Sequence, residues 1–158
     1  MRKFISVFAA ATLLAVPALA DDWGSYSNTR YGAQADVPPG FVPAGPEAAN
    51  AEGLIFRNLK QHALLTIWGE DFNGAFETHM QKRMAFENSY SGWKIGDKSV
   101  TGDWAVFEGS LGSRRMYTRT EIGCRADQTV NIKLEFDAGA GGFDRIINRV
   151  ARSLKAAC

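Results

Sequence analysis

The spacing of hydrophobic positions changes several times along this chain, and each change marks an element. Phe4 to Ala15 is an apolar run broken only by Ser6 and Thr12. Residues 21–30 are polar and lack a period, with Trp23 and Tyr26 as the only large anchors. From Tyr31 to Val37 the pattern alternates: Tyr31, Ala33, Ala35 and Val37 oppose Gln34 and Asp36, which predicts a half-buried strand. Pro38-Pro39-Gly40 stops it, Phe41-Val42 suits a short edge segment, and residues 43–53 read as a loop. Two apolar runs, 54–57 and 63–68, flank polar residues and predict a hairpin. Leu64 to Trp68 is apolar on both faces, which predicts a strand covered on both sides. Phe72, Phe76, Met80 and Met84 recur every four residues, so a helix is expected over about 73–88. Four strands follow at 93–100, 104–111, 114–123 and 129–136, joined by links short enough for hairpins. Phe143, Ile146, Ile147, Val150, Ala151 and Leu154 then have helical spacing, over 143–155. The order predicts an α+β fold, an antiparallel β-sheet packed by two main helices.

The first apolar run has a separate meaning. Met1-Arg2-Lys3 is a short basic start, and Pro17-Ala18-Leu19-Ala20 adds a helix breaker and an Ala-x-Ala site. This is the layout of a signal peptide over 1–20, cleaved after Ala20. The run is too short to span a bilayer. The expectation is one globular domain over 21–158, in the periplasm or secreted, with no transmembrane segment in the mature chain. Loss of Arg2 and Lys3 leaves 16 basic against 17 acidic residues, a formal charge of −1. That balance argues against nucleic acid as a partner. Both cysteines, Cys124 and Cys158, lie in the mature part, and in an exported chain a pair reads first as a disulfide. Closing a loop of about 35 residues is worth roughly 3–4 kcal/mol in loop entropy. Two free thiols or a metal pair is the competing reading.

Candidate chemistry is sparse. His79, Met80 and Met84 invite a copper site, but the two methionines continue the Phe72–Phe76 stripe and suit a core. No metal and no cofactor is expected. Ser91-Gly92-Trp93-Lys94 matches Ser-x-x-Lys, yet it follows a helix instead of opening one and lacks the partner motifs. Gly139 to Gly142 leads into a helix but fits no phosphate-binding pattern. Trp23, Tyr26, Tyr31, Trp93 and Trp104 suit either a groove or a core. On strand 114–123, Arg115, Tyr117, Arg119 and Glu121 share one face, while Met116, Thr118, Thr120 and Ile122 look towards a helix. Lys133 and Glu135 of the next strand are expected to extend the polar face. That face is either a solvated wall of charge pairs or a binding surface.

Several motifs resemble small exported proteobacterial proteins of unknown function: Trp23-x-x-Tyr26-x-Asn28-x-Arg30-Tyr31-Gly32, Asn50-x-x-Gly53-Leu54 and Ala63-Leu64-x-x-x-Trp68-Gly69. The tail Phe143-Asp144-x-Ile146-x-x-Arg149-x-x-x-Ser153-Leu154 is similar to the closing helix of PsbP-like domains, which include periplasmic DcrB-like proteins. The resemblance implies Asn-Gly-Asp-Gly before Leu54, where this chain has Asn50-Ala51-Glu52-Gly53. It implies an α/β/α sandwich and an accessory or binding role. The leading expectation is a soluble accessory module that binds a protein, an envelope component or a small ligand. The alternative is a hydrolase-like enzyme with a site assembled from His62, Arg115, Arg119, Glu121 and Glu135.

Overall fold

The computed structural model describes residues 22–158, so the leader and its cleavage site lie outside the described residues. In chain order the elements are β1 (Gly24–Ser27), β2 (Ala33–Val37), β3 (Val42–Pro43), β4 (Gly53–Asn58), β5 (Ala63–Asp71), α1 (Phe76–Ser89), β6 (Lys94–Val100), β7 (Trp104–Leu111), β8 (Arg114–Ile122), β9 (Gln128–Asp137), α2 (Phe143–Ser153) and β10 (Lys155–Ala156). Seven strands form one antiparallel sheet in the order β3-β4-β5-β9-β8-β7-β6, and β1-β2-β10 form a second. The α+β class and the two main helices are as the periodicity predicts.

Register assigns every side chain to a face, because residues opposite each other in an antiparallel pair point the same way. Ile67, Ile132, Arg119 and Val106 lie in one cross-strand row, and Thr66, Lys133, Thr118 and Phe107 lie in a row on the other face. On the first face, Leu65, Ile67, Val130, Ile132 and Leu134 are fully buried beneath β2 and α2, which contribute Ala33, Ala35, Phe143, Ile147 and Val150. On the second, α1 sets Phe76 and Met80 against Ala105, and Met84 against Phe107 and Met116.

The two covers are offset. On one face, α2 and the small sheet lie over β4, β5 and β9; on the other, α1 lies over β6, β7 and β8. Each face of the large sheet therefore keeps one half without a helix. This corrects the expectation that β5 is covered on both sides: Leu65 and Ile67 are fully buried, but Leu64, on the opposite face, is 36% exposed.

Other departures have local causes. The first helix begins at Phe76, because Gly74 takes φ +87° and breaks the chain direction. The second ends at Ser153, after which Leu154 is extended and Lys155–Ala156 pair with Gln34 and Ala33 of β2. Neither β1 nor β10 shows alternation; β2 holds both. Cys124 and Cys158 form a disulfide with a Cα–Cα distance of 5.4 Å, fastening the segment after β8 to the segment after β10.

Candidate functional site

Arg115, Tyr117, Arg119 and Glu121 do share a face, and it is the open half on the α2 side. Their charges are engaged locally. Arg115 reaches Glu108 at 2.8 Å, and Arg119 reaches Glu121 at 2.7 Å. The Arg119 guanidinium lies over the Trp104 ring, and Tyr117 packs into the main core. Burial pushes the Tyr117 hydroxyl above its ordinary pKa, against the opposing pull of Arg119. Lys133 and Glu135 do not extend this face, because they stand opposite Thr118 and Met116 and so point to the α1 side. His62 occupies the turn between β4 and β5. The five residues of the hydrolase alternative are thus divided between two faces and a turn.

The second open half, on the α1 side, is richer. Three cross-strand rows build it: Val42, Arg57, Leu64 and Glu135; then Ile55, Thr66 and Lys133; then Gly53, Trp68 and Asn131. The flank of α1 closes one side through ion pairs. His79 Nε2 sits 3.3 Å from Glu70, and Arg83 Nη1 donates to both Glu70 oxygens at 3.1 and 3.2 Å. Lys133 Nζ donates to both Glu87 oxygens, at 3.1 and 3.0 Å, and lies 3.1 Å from Glu135. Arg83 also stacks over Trp68 at 4.8 Å. Thr66, Trp68, Arg83, Glu87, Lys133 and Glu135 line a cavity of about 310 Å³.

Electrostatics here is set by burial and pairing together. Burial alone pushes the Glu70 carboxyl up, but the His79 hydrogen bond and the Arg83 charge outweigh it and hold the group below its ordinary value. Glu87 is only 4% exposed, and Lys133 supplies the partner that a buried carboxyl group needs. Arg83 Nε is buried without a hydrogen-bond partner, as are Thr118 Oγ1 and Asn131 Oδ1 near the helix. Every acid in the cluster faces a base, and Thr66 stands opposite Lys133 in the same cavity. The arrangement is suited to holding a surface in place.

Beyond the cluster, apolar side chains lie open. Val42, Ile55, Leu59 and Leu64 are 53%, 47%, 72% and 36% exposed. Arg57 and Lys60 make no ion pair through their side chains among the described residues. The turn and adjoining strands line cavities of about 540 and 360 Å³. Periodicity missed this surface because its members come from β3, β4, β5, α1 and β9. One signal was present: Glu87 falls on the apolar stripe of Phe76, Met80 and Met84, and a charge on a buried stripe requires a buried partner.

Met80 and Met84 are core residues, while His79 stacks on Phe72 at 5.0 Å. Among the described residues no three His, Cys, Asp or Glu side chains are placed to hold a metal ion. No described helix is long and apolar enough to cross a membrane.

The motif residues near the start converge on a different, structural cluster. Asn28 is fully buried: its Oδ1 accepts from the Tyr31 and Arg30 backbone amides, and its Nδ2 donates to Ala51 O at 2.6 Å and to Glu47 at 2.9 Å. Tyr26 also donates to Glu47, and burial together with that bond pushes its pKa up to about 12. Tyr31 packs against Gly69, where a Cβ would collide with its ring. Gly32 takes φ +69°, and a Cβ there would meet Ala157 O at 2.8 Å. At the other end Arg149 pairs with Asp36 at 2.9 Å, and Ser153 Oγ accepts from the Asp36 amide.

This architecture matches known structures. Cyanobacterial PsbP (CyanoP) of Synechocystis sp. PCC 6803 aligns with a TM-score of 0.63 and 14% identity, covering 89% of this chain and 96% of that chain. The fold is PsbP-like. The Ran-binding protein Mog1p of Saccharomyces cerevisiae aligns with a TM-score of 0.63 and 9% identity, covering 85% of this chain and 95% of that one. At these identities the likeness is one of fold. No family model matches the chain, and no curated protein matches it in sequence.

Proposed function

We propose that this PsbP-like chain is a binding module: an exported, soluble accessory protein that holds a protein, an envelope component or a small ligand without turning it over. In this reading it is akin to small proteobacterial envelope proteins and to periplasmic DcrB-like proteins. Export after Ala20 is supported by the basic start, the apolar run and the Ala-x-Ala site. A disulfide joining the only two cysteines suits an oxidising compartment. The fold neighbour Mog1p, a Ran-binding protein, has a binding role on the same architecture.

One observation carries the reading. The open half-face over β4, β5 and β9 combines exposed Ile55 and Leu64 with the Arg83-stacked Trp68, and Glu70, Glu87 and Glu135 on it are already paired. Apolar side chains exposed beside a rigid polar frame mark an interaction surface. The other open half supplies the second reading, because Arg115, Tyr117, Arg119 and Trp104 have the composition of interface anchors. Affinity recovery from the periplasmic fraction separates them, using wild type, an Ile55→Ser/Leu64→Ser double variant and Arg119→Ala. The double variant should lose what wild type recovers, and Arg119→Ala should keep it. Loss in Arg119→Ala alone moves the site to the other face. Equal recovery by all three removes both faces.

A further inference from the structure

We infer that the partner on the open α1-side half-face is an amphipathic helix whose flanks carry acidic residues. The inference rests on the binding reading above and adds the class of partner. The near edge discourages strand addition. β3 is only two residues long, and Ala44 N donates inward to Ile55 O at 2.8 Å, so in the alternating ladder Pro43 faces outward, where it has no N–H to offer. The face offers a partner more than the edge does.

The face has the dimensions of a helix. Three strands at about 4.8 Å spacing give roughly 15 Å of width. A helix with its side chains is about 10–12 Å across. The same sheet already seats α1 over the neighbouring three strands. Leu64, Thr66 and Trp68 project from β5 on this face, with Ile55 beside Thr66. Alternate strand residues advance about 6.8 Å, close to the roughly 6 Å between helix positions i and i+4.

Charge selects the sign of the partner. Glu70, Glu87 and Glu135 are all engaged by His79, Arg83 and Lys133. Arg57 and Lys60 at the outer rim are exposed and make no ion pair among the described residues. The charge left to a partner is positive, and complementary rim charges govern partner choice and encounter.

The test places the photo-crosslinker p-benzoylphenylalanine at Leu64, and separately at Val106 on the opposite open half, in cells producing the full-length chain. Adducts are mapped by mass spectrometry. The Leu64 adduct should map to a protein segment with apolar residues at i, i+3, i+4 and i+7 and more Asp and Glu than Lys and Arg. Adding Arg57→Glu and Lys60→Glu should cut its yield about fivefold or more, with an unchanged melting temperature. An adduct to lipid, to a basic or proline-rich segment, or one indifferent to charge reversal overturns the acidic-helix inference and leaves the binding face standing. An adduct at Val106 alone, or at neither position, overturns the reading of this face and the inference with it.

Discussion

Ala51 holds a conformation that its side chain opposes. It takes φ +53° in the turn before β4, at the position where the resembling sequences lead one to expect glycine. An L-residue in the left-handed region is destabilised by about 1–2 kcal/mol relative to the right-handed one, because Cβ crowds the following carbonyl. Ala51→Gly removes that strain. It also frees the unfolded chain, which costs about 0.4–1 kcal/mol. The Ala51 carbonyl still accepts from Asn28, and its amide still donates to Ala48 O at 2.7 Å, so no hydrogen bond is lost. The net expectation is stabilisation by about 0.5–1 kcal/mol, or a rise of roughly 2–4 °C in melting temperature for a domain of this size. Differential scanning calorimetry and urea unfolding both measure it. Ala48→Gly is the control: Ala48 lies in the same loop without a positive φ, so the substitution should lower the midpoint. If Ala51→Gly leaves the midpoint unchanged or lowers it together with Ala48→Gly, the strain argument is wrong.

Four further outcomes are expected. Cys158→Ser should lower stability by up to about 3–4 kcal/mol in unfolding experiments while the fold survives, and Ellman's reagent should find no free thiol in unfolded, non-reduced wild type. Lys133→Met leaves the buried Glu87 with only Arg83 Nε, 3.9 Å away, and should cost up to about 3–5 kcal/mol, whereas adding Glu87→Leu should restore most of the loss; a double variant as unstable as the single one would contradict this account. Glu70 has a folded pKa below its unfolded one, so its contribution is present above about pH 4.5 and fades as pH falls through the folded value. Glu70→Gln should thus destabilise the protein at pH 7 and converge with wild type at strongly acid pH, as read from melting temperature against pH. Met80→Leu should cost less than about 1.5 kcal/mol, since it conserves volume in a closed core; a larger fall in the urea midpoint would give Met80 a role beyond packing.

How much of this was legible in the sequence depends on the range of the interactions involved. The α2 stripe reflects a single buried face, and the Val130 to Phe136 alternation in β9 marks its apolar face even though Thr129 and Asn131 on the other face are buried as well, so period alone locates both elements. The β1 and β10 strands have no such face; β2 pairs with β1 across a short turn and with β10 from the opposite end of the described residues, a partner that no local pattern announces. The polar set of Arg115 to Glu121 was readable as a face because a strand has period two. Which half of the next strand joins it depends on pairing: Ile132, and not Lys133, stands opposite Arg119. The half-face of Ile55, Leu64 and Trp68 is a property of where two helices stop covering a sheet, and no single segment encodes that.

The small sheet also sets a timetable. β2 pairs with β10, which lies at the far end of this sequence, and the disulfide and the Ala157-to-Gly32 hydrogen bond at 2.7 Å close the same junction. Contacts between such distant segments form slowly, because a long loop must close first. Until β10 is in place, one edge of β2 keeps unpaired backbone groups, an open template for another strand. The junction thus ties the hiding of the β2 edge to a late, long-range pairing step.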